Sequence, residues 1–159
     1  MKKVILSLIF AATLIFGANV LTTFAQGEVN FSGSIGNGKL QKGKSATATI
    51  VMEIPNGLHV NSRNPGSRYA IPTKITVTGT GLKAGTISYP NGTTKKFTFS
   101  EEQLSVYEGR ATFRFNVTVP ATFKGNVAKL RAVISYQSCS DEVCYRPRTG
   151  EVTLSASVR

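Results

Sequence analysis

The chain has 159 residues, with 19 Lys plus Arg against 8 Asp plus Glu and a formal charge of +11. That length favours one domain, and 41% hydrophobic with 17% charged residues excludes compositional disorder. Two cysteines exclude a disulfide-dense miniprotein and a four-thiolate zinc site, and a single histidine excludes any centre built from several imidazoles.

The chain opens as an export signal. Met1-Lys2-Lys3 is a short basic start, and Val4 to Val20 is apolar apart from Ser7, Thr13, Gly17 and Asn19. Thr23-Phe24-Ala25 then places small residues at the two positions a signal peptidase reads, so the expected cut follows Ala25. An uncleaved anchor is the competing reading. The run is near the short end for a bilayer span and is followed by Thr22-Thr23, with no basic stop. Cleavage would remove two lysines, reducing the +11 to +9, and leave residues 26–159 as a single domain with no stable membrane insertion. Export to the periplasm would put Cys139 and Cys144 in an oxidising compartment.

Beyond residue 26 short runs rich in Val, Ile, Thr, Phe and Tyr recur between Gly, Pro and Asn punctuation. The pattern predicts strands over 28–34, 45–54, 58–62, 73–78, 82–89, 95–99, 111–119, 128–137 and 151–158. Phe113, Phe115, Val117 and Val119 alternate with Thr112, Arg114, Asn116 and Thr118. In the run 128–137 Val133 interrupts the polar side, which predicts a central strand covered on both faces. Pro55-Asn56-Gly57 and Pro90-Asn91-Gly92 predict tight reversals, and Glu101-Glu102-Gln103-Leu104 a single helical turn. About nine short strands with turns every 8–12 residues predict an all-β antiparallel sandwich.

The chemical resource is the segment Ser135-Tyr136-Gln137-Ser138-Cys139-Ser140-Asp141-Glu142-Val143-Cys144-Tyr145-Arg146-Pro147. If it forms a hairpin, facing cysteines at a non-hydrogen-bonded site lie about 4.5 Å apart at Cα, within bridging range. A purely structural bond is one reading. A loop of six residues yields only about 2 kcal/mol of chain-entropy stabilisation, against about 4.7 for a loop near 100 residues. Short, exposed bridges are also where labile disulfides are found. Asp141 and Glu142 inside the loop disfavour a thiolate, whereas Arg146 and Arg148 after it favour one.

Tyr136-Gln137-Ser138-Cys139 … Cys144-Tyr145-Arg146-Pro147 resembles the active-site segment of the disulfide-bond corrector family, the amino-terminal immunoglobulin-like domain of the bacterial thiol:disulfide interchange reductase. Gly57-Leu58-His59-Val60-Asn61-Ser62 resembles that family's Gly-aromatic-x-hydrophobic strand. Ile71-Pro72-Thr73 and Tyr89-Pro90 fit its following strands, and Val106-Tyr107-Glu108-Gly109 the segment after its active-site cap. The resemblance implies an immunoglobulin-like sandwich in which Cys139 and Cys144 cycle between dithiol and disulfide. It implies a thioredoxin-like electron donor, oxidised periplasmic proteins as acceptors, and Cys144 as the attacker on the substrate side. It further implies a cap over the pair. Phe97 is the candidate shield and Phe99 the next, although both read equally well as core strand residues. His59, Tyr136 and Tyr145 are candidate neighbours of the pair.

Three features depart from the family pattern. Arg146 replaces a first proline, Lys95 and Lys96 stand where acidic cap residues are expected, and the chain has no thioredoxin-like Cys-x-x-Cys. The electron donor would then be a separate protein. A secreted, non-enzymatic β-sandwich binding module with a structural Cys139–Cys144 bond is the alternative. Binding of an acidic polymer or anionic membrane through the scattered basic residues ranks below both. No cofactor, metal or nucleic-acid partner is expected. Glycines sit in turns, with no phosphate loop, and Asp141-Glu142 are ill placed for a glycosidase pair.

Overall fold

A computed structural model describes residues 28–159; the expected signal at 1–25 lies outside the described residues. The described residues form an all-β, immunoglobulin-like sandwich of twelve strands. In chain order these are β1 (Asn30–Ile35), β2 (Lys39–Leu40), β3 (Ser45–Glu53), β4 (His59–Asn61), β5 (Lys74–Thr78), β6 (Lys83–Ala84), β7 (Thr93–Lys95), β8 (Leu104–Tyr107), β9 (Arg110–Thr118), β10 (Val127–Tyr136), β11 (Ser138–Cys139) and β12 (Arg148–Val158).

Two sheets form the sandwich, ordered β1-β3-β9-β6 and β2-β12-β10-β5. Their inner faces are the alternating apolar positions read from the sequence. Ile50 and Met52 of β3, Phe113, Phe115 and Val117 of β9, Leu130 and Ile134 of β10, and Leu154 of β12 are buried in one core. Alternation at period two sends the intervening polar residues to solvent. β10 is central by hydrogen bonding, between β12 and β5, yet Lys129, Arg131 and Ser135 on its second face are exposed. The predicted double coverage is therefore corrected. Val133 is only half-buried, flanked in the ladder by Glu151 and Thr76.

A third sheet, ordered β11-β4-β8-β7, is an extension of the other two. β10 runs through Gln137 into β11, and β8 runs through Glu108-Gly109 into β9. Its apolar interior is a separate small cluster of Phe97, Leu104 and Val106, joined by Ala70 and Phe99.

Four sequence expectations change. The run 82–89 is not continuous. After β6, Gly85 N–H bonds Asn116 O and Ser88 N–H bonds Arg114 O, so three steps on one chain match two on the other. That is a β-bulge, and it ends the ladder. The run 95–99 is strand only to Lys95, and Phe97 and Phe99 lie on the turn that follows. No helical turn forms at 101–104, because burial of Leu104 and Val106 against Phe97 draws this stretch into β8. Pro90-Asn91-Gly92 is not a reversal. Gly92 serves close approach instead, since a Cβ there would lie 2.2 Å from Ser105 Oγ and 2.9 Å from Ser62 Cβ. At the other predicted reversal, Leu58 N–H bonds Pro55 O across Asn56-Gly57, with Gly57 at φ 80°.

Candidate functional site

Cys139 and Cys144 form a disulfide with their Cα atoms 3.9 Å apart, inside the roughly 4.5 Å expected of a facing pair. Tightness comes from the four residues between them. Ser140 N–H bonds Val143 O, and Ser140 Oγ accepts the N–H groups of Glu142 and Val143, which folds the loop on itself. Tyr145 N–H returns to Ser138 O and closes the hairpin. The two cysteines differ in access. Cys139 is fully buried, whereas Cys144 is half-buried and lines a groove of about 710 Å³ with Arg68, Tyr69, Phe99, Glu102 and Gln137.

Gln137 locks this hairpin in place. Its Oε1 accepts Asn61 Nδ2–H at 3.0 Å and Ile71 N–H at 3.2 Å, and its Nε2 donates to Tyr145 O at 3.1 Å. One side chain thus ties β4, the loop before β5 and the Cys144 strand. The Tyr-Gln-x-Cys motif held this residue, but its positioning role was not legible, because all three partners are distant in sequence.

Register then decides what faces the sulfurs. Cys139 pairs with His59 and Ser138 with Val60. Directly opposed residues of antiparallel strands share a face, with Cβ atoms about 4.5–5.5 Å apart. Val60 points into the main core, so His59 and Asn61 lie on the cysteine side of β4. Both are buried, at 1% and 0% exposure, and both keep one side-chain atom without a hydrogen-bond partner, His59 Nε2 and Asn61 Oδ1. No other buried side-chain polar atom among the described residues is left so. Orphaned buried polar groups of this kind are rare in native proteins.

The turn after β7 covers this cluster. Phe97 stacks on the His59 ring at 4.1 Å, and Phe99 stacks on Phe97 at 5.2 Å. Thr98 Oγ1 donates to Asp141 O at 3.2 Å, tying the turn to the cysteine loop. The two lysines that stand in place of acidic residues brace its base. Lys95 pairs with Glu108 at 2.7 Å, and Lys96 Nζ donates to Glu101 O. The exposed Lys95–Glu108 pair contributes at most about 1 kcal/mol. Cys139, Cys144, His59, Phe97 and Phe99 are therefore brought together. Tyr136 is not: it is buried in the main core, edge-on to Phe31 at 5.4 Å. Tyr136 and Tyr145 line a second groove on the other side of the hairpin, with Arg146 and Arg148. Among the described residues, no cluster of three metal-ligating side chains occurs, and no helix is long and apolar enough to cross a membrane.

The profile of the family described as the thiol:disulfide interchange protein DsbD, N-terminal, matches residues 31–156. The chain belongs to that family. It is thus a domain of the thiol:disulfide interchange class, and its cysteine pair is disulfide-linked. No curated protein matches it. Among solved structures it is similar to the N-terminal periplasmic domain of ScsB from Proteus mirabilis. Identity is 12%, over 80% of this chain and 44% of that one, with a TM-score of 0.48. It is also similar to the full-length major pilin SpaD from Corynebacterium diphtheriae, at 14% identity over 79% of this chain and 34% of that one, TM-score 0.36. The chain thus spans less than half the length of these two structures.

Two outcomes follow from this geometry. Burial lowers the His59 pKa below 6.5, against smaller opposing effects of Asp141 and Glu108. Unfolding restores the ordinary value, so below about pH 6.5 the unfolded chain binds the extra proton and stability falls as pH falls. Thermal unfolding midpoints should therefore drop on acidification from about pH 7 to 5, and His59→Phe should flatten that drop. Gln137→Ala should cost about 1–3 kcal/mol in urea unfolding, because it strands two N–H donors and one carbonyl.

Proposed function

We propose that residues 26–159 act in the periplasm as a thiol–disulfide interchange domain that relays reducing equivalents to protein disulfides through Cys139 and Cys144. The observation that carries this reading is the asymmetry of the pair: Cys139 is sealed and Cys144 opens onto a groove. A structural staple has no need of that difference. Of the four exposed large apolar residues among those described, Tyr69, Ile71 and Val143 sit on the two loops beside the groove. Apolar side chains left in water there suit a surface that a protein partner covers.

The steps follow thiolate exchange. A thiolate of a thioredoxin-like donor attacks Cys144 Sγ, forming a mixed disulfide and expelling Cys139 as the leaving sulfur. The donor's second thiol then attacks its own sulfur in that bond and releases Cys144. The donor leaves oxidised and the pair reduced by two electrons. In the second half, the Cys144 thiolate attacks an oxidised substrate protein. Cys139 displaces the substrate thiol and restores the Cys139–Cys144 bond. Phe97 and Thr98 hold the cap across the pair until a partner displaces it, which limits wasteful reaction with small thiols.

Single cysteine variants test the relay. Cys139→Ser should retain mixed disulfides with thioredoxin-like or substrate proteins in a periplasmic extract, and Cys144→Ser should retain far fewer. The reduction potential should lie above about −300 mV, the region of exchangeable rather than structural bonds. No captured protein together with a potential below that value would assign the bond a structural role. Cap control is tested separately: Phe97→Ala should speed reduction by dithiothreitol several-fold at unchanged potential, read by stopped-flow.

A further inference from the structure

We infer that His59 is the general base for Cys139, taking the proton of its buried thiol so that Cys139 can close the disulfide and release the partner bound to Cys144. This inference rests on the redox reading above and adds a residue to it.

Three observations carry it. The chain has one histidine, and it sits directly opposite Cys139 in the β4–β11 register, on the same face of the sheet. Its Nε2 is buried without a hydrogen-bond partner while the cysteines are joined in a disulfide. Reduction creates an S–H on Cys139, the residue that faces His59 across the ladder. Finally, Cys139 is fully buried, and the Phe97–Phe99 stack covers the imidazole, so bulk water is a poor proton acceptor here. Burial raises a thiol pKa, and a thiol that must attack from such a place needs a base within reach.

The charged groups around the ring fit the role. Asp141 of the cysteine loop and Glu108 beyond β8 favour the imidazolium, Lys95 of β7 opposes it, and burial outweighs all three. At neutral pH the ring is therefore uncharged and free to accept a proton. Once protonated it has two carboxylates to stabilise it.

The step balances as follows. With Cys144 joined to a partner sulfur, the proton of Cys139 S–H passes to His59 Nε2. The Cys139 thiolate attacks Cys144 Sγ, the Cys139–Cys144 bond forms and the Cys144–partner bond breaks. The partner leaves as a thiolate with two electrons, and the imidazolium proton passes to that sulfur or to solvent. The cysteine pair is oxidised and the partner reduced.

Reduced full-length mature chain mixed with 5,5′-dithiobis(2-nitrobenzoate) separates the events. The first coloured thionitrobenzoate released reports the mixed disulfide on Cys144, and the second reports closure by Cys139. Closure in the wild type should level off above an inflection below pH 6.5. In His59→Gln and His59→Phe it should slow about 10²-fold relative to the first release at pH 7, near the lower end for general-base catalysis. Its rate should then keep rising past the ordinary thiol pKa of about 8.5, because burial raises that of Cys139. The mixed disulfide should accumulate and be visible by mass. Closure in a folded variant with the wild-type rate and pH profile would overturn the inference. So would a wild-type profile without the low inflection, which needs no variant at all. Absence of any thionitrobenzoate release from reduced wild type would instead refute the redox reading, and this inference with it.

Discussion

The pairing of two residues of β11 with β4 governs the whole cysteine end of the molecule. It sets Cys139 opposite His59, and a slip of β11 by one residue would turn Cys139 to the other face, away from His59. So short a ladder is weak alone. The Gln137 side chain reinforces it by bonding Asn61 on one side and Tyr145 on the other. The hairpin is therefore held to β4 by side-chain hydrogen bonds as well as by its two-residue ladder.

Around that pairing the domain divides its labour. The sandwich core of β1, β3, β9, β10 and β12 is aliphatic and aromatic, with Phe113 at its centre against Tyr89 and Tyr107. It supplies rigidity and no chemistry. The third sheet holds the buried polar residues His59 and Asn61, its own small apolar cluster and the cap. Unsatisfied polar atoms there lower local stability, a cost the large core offsets. The cap thus packs on a cluster separate from the sandwich core.

Much of the fold was legible because period-two alternation is a local property. All nine expected strands overlap a paired strand, although 82–89 meets only the two residues of β6 and 95–99 only Lys95 of β7. The failures share one cause. Gly85 begins a bulge, Gly92 makes room for Ser105, and Leu104 joins β8, each because of a neighbour distant in sequence. Phe97 and Phe99 read equally as strand or cap for the same reason: apolar residues two apart fit either, and only the stack on His59 separates the cases.

By itself, then, the sequence determined the all-β class, the sandwich faces and the cysteine pair as the chemical resource, since spacing, turn residues and residue scarcity are read along the chain. It did not determine which side chains meet the sulfurs. Tertiary structure placed His59 beside Cys139, put Gln137 at the junction of three segments and sent Tyr136 to the core. Strand register and side-chain packing act between residues far apart in the chain, 76 positions for Asn61 and Gln137, and no local pattern encodes them.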